Sequence, residues 1–444
     1  MTTARSSRDP EVTAGEGTPA GEGTPTGSLP EPPTLLSRGL SAAGIMLLAT
    51  VVTNATNYAY SLLMGRQLGP ELFGEFTALL GVLMILSVAS QTVQPVVARY
   101  STGLQTAQGP EAVVDFARRL MWRLTLVGVG AFIIWIPIAF PLASILQIDS
   151  PVPVIAAGSA LILGFSLPVV WGAFQGEQRF RDLGLNMVVL SVGRFVLGAA
   201  LVALGASVAG AVGALTIATA VAFALAYPSV RRALGSGRHV GPPARALVAY
   251  GLPTTLGLAA WTLLTNLDIV FVKAAESSTE AGYYGAAATI GKLALFLPLA
   301  LGLVIFPKAA ARHVAGQDSR LLMRRTGQAV VAASAVLVIV CAVFGNTAID
   351  LMFGTSYAPA DQLLVPVVGA MCCFALTNVM LFYYLSVHRM RFAWMLFAAV
   401  VVQVVALTLA AADPLAVAYV QLSIGLTIVA INEFFFVPLF APIR

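Results

Sequence analysis

The feature that most constrains this chain is a succession of apolar stretches, each long enough to cross the ~30 Å hydrocarbon core of a bilayer, which takes about 20 helical residues. They run over 39–65, 74–100, 120–146, 152–176, 181–205, 207–230, 246–273, 282–309, 325–348, 361–387, 390–411 and 414–440. Charge is too scarce for a soluble surface: 58% of the residues are hydrophobic and 10% charged, where soluble surfaces carry roughly 25–35% charge. The expected architecture is an all-α polytopic membrane protein of twelve transmembrane helices. Pro137, Pro168, Pro253, Pro298 and Pro366 fall within the spans. That is tolerable in a membrane bundle, where neighbouring groups satisfy the freed carbonyls.

Residues 1–36 differ in kind. They are rich in Gly, Thr, Pro and Glu, with Ala14–Pro19 repeated as Ala20–Pro25, so a disordered cytoplasmic tail is expected there. It lacks the apolar core of a signal peptide. The basic residues then set the topology, because cytoplasmic connections carry the Lys and Arg excess. All but four of the 25 basic residues fall at the N-terminus, at the C-terminus or in alternate connections, which places both termini in the cytoplasm. The exceptions are Arg66 and Lys273 on the opposite side, and Arg194 and Lys292 inside spans. The net charge of +5 is therefore a topology signal, and nucleic acid is not an expected partner.

No cofactor, metal or catalytic residue is expected. Cys341, Cys372 and Cys373 lie in apolar runs without a metal-ligand spacing, and His239, His313 and His388 sit among basic residues at span ends. No phosphate-binding G-x-x-x-x-G-K-[ST] motif occurs, and the sequon at Asn54 lies within a span.

A shift of 212 residues carries Thr50 onto Thr262, Asn54 onto Asn266, Pro95 onto Pro307, Arg179 onto Arg391 and Phe180 onto Phe392. Six spans in each half is an even number, so the halves enter the membrane the same way round, as two parallel six-helix lobes. The expected organisation is a lobe at 37–232, a cytoplasmic linker at 233–245 and a second lobe at 246–444. The segment Asn54–Phe76, with its turn Arg66-Gln-Leu-Gly-Pro-Glu-Leu-Phe-Gly74, resembles the first hairpin of the polysaccharide-biosynthesis flippases, the Wzx-like branch of the MOP (MATE-related) superfamily. Asn266-Leu-Asp-Ile-Val followed by Ala281-Gly-Tyr-Tyr is similar to that family's seventh-span pattern.

Polar residues in the first span, Thr50, Asn54, Asn57 and Ser61, share one helix face. Gln91 and Gln94 in the second span and Thr262 and Asn266 in the seventh repeat the idea, either as packing between helices or as the lining of a shared wet cavity. Arg194 lies roughly 20 Å along its helix from Arg181 and about 16 Å from Gly205, and Lys292 is ~15 Å beyond Gly282. Charges at such depth face water, a ligand or a partner, so they are read either as a cationic cavity for an anionic headgroup or as ion-paired with Asp268 or Glu433. Asp268 has Lys273 as an alternative partner, and the alternative for Glu433 is an interface anchor beside Phe434.

The resemblance implies a flippase in the plasma membrane that exports a lipid-linked (polyprenyl-diphosphate) oligosaccharide by alternating access, with polysaccharide assembly proteins as further partners. On that reading Arg194, Lys292 and, at the outer mouth, Arg66 bind the headgroup, while Asp268 and Glu433 are ion-coupling candidates. A MATE-type drug antiporter, a peptidoglycan-precursor flippase and, more distantly, a membrane polymerase or ligase are the competing readings.

Overall fold

The computed structural model describes residues 35–231, 244–296, 320–387 and 389–436. Contacts divide the chain into Met1–Ser41, of which only the helical start from Leu35 is described, and a compact unit, Ala42–Arg444. Among the described residues there are helices and turns but no strands. In order they are α1 (Leu35–Gln91), α2 (Val93–Gln108), α3 (Pro110–Ile145), α4 (Val152–Gly158), α5 (Leu161–Gly164), α6 (Leu167–Gly176), α7 (Phe180–Leu201), α8 (Ser207–Arg231), α9 (Ala244–Ala275), α10 (Ser278–Gly291), α11 (Arg320–Met352), α12 (Asp361–Ser386), α13 (Arg391–Ala410) and α14 (Pro414–Phe435).

Nine helical stretches among the described residues are long and apolar enough to cross a membrane. Two of them, Gly44–Gln108 and Phe180–Ser229, contain 65 and 50 residues, far more than one crossing needs, and both fold back on themselves. The α1 hairpin turns at Gly69, whose φ of 71° suits a residue without Cβ, and Pro70 follows as a helix-starting residue. Tyr60 and Phe76 would be ~24 Å apart along a straight helix, yet their ring centroids are 6.0 Å apart. The second hairpin turns at Gly205, φ 91°, and Asn186 Nδ2 donates to the Ala222 carbonyl across it at 2.8 Å.

The span expected at 152–176 is not one helix. It is broken into α4, α5 and α6, and Pro168 begins α6 rather than kinking a longer helix. Neighbouring helices hold the segment through hydrogen bonds. The Trp135 indole N–H donates to the Val154 carbonyl at 2.8 Å, Ser159 shares a hydrogen bond with Thr216, and Ser166 one with Thr125. Breaks in helical hydrogen bonding at membrane depth survive only where protein or a cavity surrounds them.

Other boundaries shift outward. α3 begins at Pro110 and α11 at Arg320, so Arg118, Arg119, Arg123, Arg324 and Arg325 stand on helix ends rather than in loops. Most of the tail, most of the linker (232–243), the remainder of the eighth span from 297, with Pro298, and His239, His313 and His388 lie outside the described residues.

α12 is the central buried helix of the second half, packed against α11 and α14. Leu126, Ile133 and Ile134 on α3, Val336, Ile339 and Val343 on α11, and Val401, Val405 and Leu409 on α13 are exposed instead. Apolar bands of this kind suit lipid contact.

Candidate functional site

A cavity of about 830 Å³ opens between the α1–α2 junction, α5–α6, α7 and α8 of the first half, with Thr254, Leu258 and Phe382 contributed by the second. Its wall is mainly apolar, from residues such as Leu83, Leu161, Phe165 and Leu190. Among the described residues, the polar lining comes chiefly from one stretch, Ser87, Ser90, Gln91, Thr92 and Gln94, and its one cation is Arg194. The chain reaches this arrangement because α1 ends at Gln91 and α2 restarts at Val93, which turns consecutive polar side chains toward the opening.

Arg194 is 8% exposed. Its guanidinium lies 4.6 Å from the centroid of the Tyr60 ring, a contact that stabilises a cation away from water. Tyr60 is fixed in turn: its hydroxyl donates to the Ala211 carbonyl at 2.6 Å, and its ring meets Phe76 and Phe195 edge-on. Gly198, one turn beyond Arg194, lets that ring in; a Cβ there would collide with it. Arg194 Nε is buried and has no hydrogen-bond partner. A buried unpaired N–H costs about 1–3 kcal/mol, more on a charged group, unless an acceptor reaches it.

The expected site residues do not all gather there. Gln91 and Gln94 line the cavity, Gln91 donating to Ser87 Oγ at 3.0 Å and Gln94 to Gln175 Oε1 at 3.1 Å. Thr50, Asn54, Asn57 and Ser61 do not line it. Thr50 and Ser61 donate back to the carbonyls of Met46 and Asn57 on their own helix, which is how Thr and Ser commonly settle within apolar helices.

Lys292 lies apart from Arg194, in a polar cluster of the second half. Half-buried in the turn after α10, it donates to Asn266 Oδ1 at 3.0 Å. Asn266 Nδ2 donates to the Thr262 carbonyl and to Thr265 Oγ1. Asp268, buried, accepts from the Tyr284 hydroxyl at 2.8 Å and feels the charge of Lys292. Beneath them Gln403 donates to Gln421 Oε1 and to the Leu264 carbonyl. Thr262 Oγ1 is buried without a partner.

Lys273, the alternative partner of Asp268, turns away to the carbonyls of Leu146 and Gln147. Arg66 is exposed and donates to the carbonyls of Leu351 and Met352. Glu433 is half-buried on α14, next to the exposed Phe434.

Sequence reading missed Tyr60 and Tyr284. The available signal was a tyrosine hydroxyl at membrane depth, which needs a partner wherever it is buried.

The family model described as "Polysaccharide biosynthesis protein" matches residues 40–313. No curated protein matches the chain. The fold is similar to that of an inward-facing multidrug resistance MATE family transporter of the MOP superfamily, with 14% identity, coverage of 88% of this chain and 99% of that one, and a TM-score of 0.65. It is similar also to the lipid II flippase MurJ in an inward closed conformation, at 10% identity, 88% and 86% coverage and a TM-score of 0.70. A MOP superfamily transporter from Pyrococcus furiosus matches at 15% identity, 90% and 94% coverage and a TM-score of 0.53. The chain thus belongs to the polysaccharide biosynthesis protein family, with several helices apolar enough to cross a membrane and a fold like that of the MOP superfamily structures.

Proposed function

We propose that the protein is a flippase that moves a lipid-linked, polyprenyl-diphosphate oligosaccharide across the plasma membrane by alternating access, without breaking a bond. The observation that carries this reading is the buried, unpartnered Nε of Arg194 in an otherwise apolar-walled cavity. A phosphate oxygen would supply the missing acceptor, and guanidinium geometry suits it. The polar edge at Ser87–Gln94 would meet the sugar side of the headgroup, and the apolar wall the first isoprene units.

Arg194 is the primary headgroup ligand on this reading. Lys292, held by Asn266, lies in the cluster of Asp268, where it balances that carboxylate's charge. Asp268 is the better ion-coupling candidate, since it has the buried cluster around it, and Glu433 is the second. Arg66 and Lys273 act at the face where they grip helix ends.

Twelve crossings follow if each of the two folded-back stretches contributes two and the eighth span, described only to 296, contributes one. Both termini would then be cytoplasmic, with the lobes meeting across 233–245. Polysaccharide assembly proteins are the natural further partners of such an exporter.

A cationic drug would be repelled by the positive charge of Arg194 in the cavity, which argues against the antiporter reading. A peptidoglycan-precursor flippase shares the lipid-diphosphate chemistry and is separated by headgroup. Liposomes carrying the reconstituted protein and fluorescent lipid-linked headgroups test the reading: the expected result is transfer of a polyprenyl-diphosphate oligosaccharide between leaflets. Transfer of lipid II alone selects the competitor, and transfer of none of the headgroups refutes a lipid flippase.

A further inference from the structure

Two contacts between the halves of the repeat obey the same rule. In the first, Arg66, near the end of the first arm of α1, donates from Nε to the Met352 carbonyl at 2.9 Å and from Nη2 to the Leu351 carbonyl, at the C-terminus of α11. Tyr357, just past α11, returns a hydrogen bond to the Gly65 carbonyl at 2.7 Å. In the second, Lys273, near the end of α9, donates to the carbonyls of Leu146 and, at 3.1 Å, Gln147, at the C-terminus of α3. Gln147, just past α3, returns a hydrogen bond to the Ala274 carbonyl at 3.1 Å.

The first arm of α1 and α9 are the first helices of the two halves, and α3 and α11 are the third. Each first helix therefore ends in a cation that caps the third helix of the other half, and a neutral donor beyond that third helix caps the first helix in return. The last carbonyls of a helix lack internal partners and carry the negative end of its dipole, so a cation is the apt cap. Between the clasps, backbone meets backbone: a Cβ on Gly74 would strike Ser278, and one on Gly282 would strike Pro70.

We infer that Arg66 and Lys273 form a symmetric double latch that holds this face of the transporter shut and must release, both sides together, when the face opens. It rests on the alternating-access reading above. Opening exposes the capped carbonyls and brings the fully buried Lys273 ammonium into water. Charged groups facing Lys273 are Glu75 and Asp149, both from the first half, so the same attraction opposes separation on that side.

The test uses the full chain in liposomes, with Cys341, Cys372 and Cys373 replaced by alanine and spin labels introduced at Ser150 with Ala275, and at Glu71 with Ser356, all four exposed. Pulsed dipolar spectroscopy reads both distances. The parent should show short distances at each pair. R66Q/K273Q should raise the long-distance population relative to the short one about tenfold at both pairs, as loss of charge-assisted hydrogen bonds implies, with each single variant rising less. An unchanged distance distribution in the folded double variant overturns the latch. Should K273Q not fold, R66Q alone, which alters one exposed residue, should still raise the long-distance population at both pairs by a smaller factor, and an unchanged distribution in folded R66Q overturns the latch. Lengthening without headgroup transfer by the parent leaves the latch standing and refutes the substrate reading, whereas transfer with unchanged distances in the double variant refutes the latch alone.

Discussion

The guanidinium of Arg194 lies 4.6 Å from the centroid of the Tyr60 ring, while its Nε points to no partner. The aromatic face stabilises the cation while Nε is left without a hydrogen-bond partner. On the proposed reading, that open N–H is where an anionic headgroup binds.

Replacing Tyr60 by leucine removes the aromatic face, and the cation–π contact at a desolvated site is worth about 2 kcal/mol. Headgroup transfer in liposomes should fall about tenfold or more. Tyr60→Phe keeps the ring and loses the hydroxyl, with its hydrogen bonds to the Ala211 carbonyl and to Arg194, so its transfer rate should fall less than that of Tyr60→Leu.

Gly198→Ala should act on the same ring from behind. Its Cβ would collide with Tyr60, and overpacking of this kind costs about 1–3 kcal/mol. Thermal unfolding in detergent should show a lower midpoint for G198A. The variant Gly198→Ala in a Tyr60→Leu background should show a smaller loss, because the colliding ring is gone.

Asp268 and Lys292 should behave as an energetic unit. Asp268→Asn retains an acceptor for the Tyr284 hydroxyl but leaves the Lys292 charge without its carboxylate, so it should lower the unfolding midpoint. Adding Lys292→Met should recover part of that loss, with a coupling of about 0.5–3 kcal/mol in a double-mutant cycle. Strict additivity would mean that the two charges do not support each other.

The depth of Arg194 was legible from sequence, because helical rise alone places it far from both membrane faces. The identity of its neighbour was not: Tyr60 and Arg194 come from helices far apart in the chain, and only packing decides which faces meet. The same limit separated Lys292 from Arg194. Both are buried cations by sequence, yet Asn266 draws one of them into the second half. For the polar stripe of the first span, Thr50 and Ser61 donate to carbonyls of their own helix, a local choice that residue spacing does not reveal. The hairpins at Gly69 and Gly205 were legible through their turn residues. The breaks within 152–176 were not, because Ala160 and Phe165, at the joints, keep right-handed helical torsions and only the hydrogen-bonding pattern changes.

The account rests most directly on Arg194. The decisive measurement is the rate of leaflet-to-leaflet transfer of a polyprenyl-diphosphate oligosaccharide by parent, Arg194→Ala and Arg194→Lys proteins of equal thermal stability in liposomes. Arg194→Ala should lose transfer by about tenfold or more, the scale of a charge-assisted hydrogen bond, and Arg194→Lys should keep part of it through its point charge. Transfer by Arg194→Ala at the parent's rate would contradict the assignment of this cavity to the anionic headgroup.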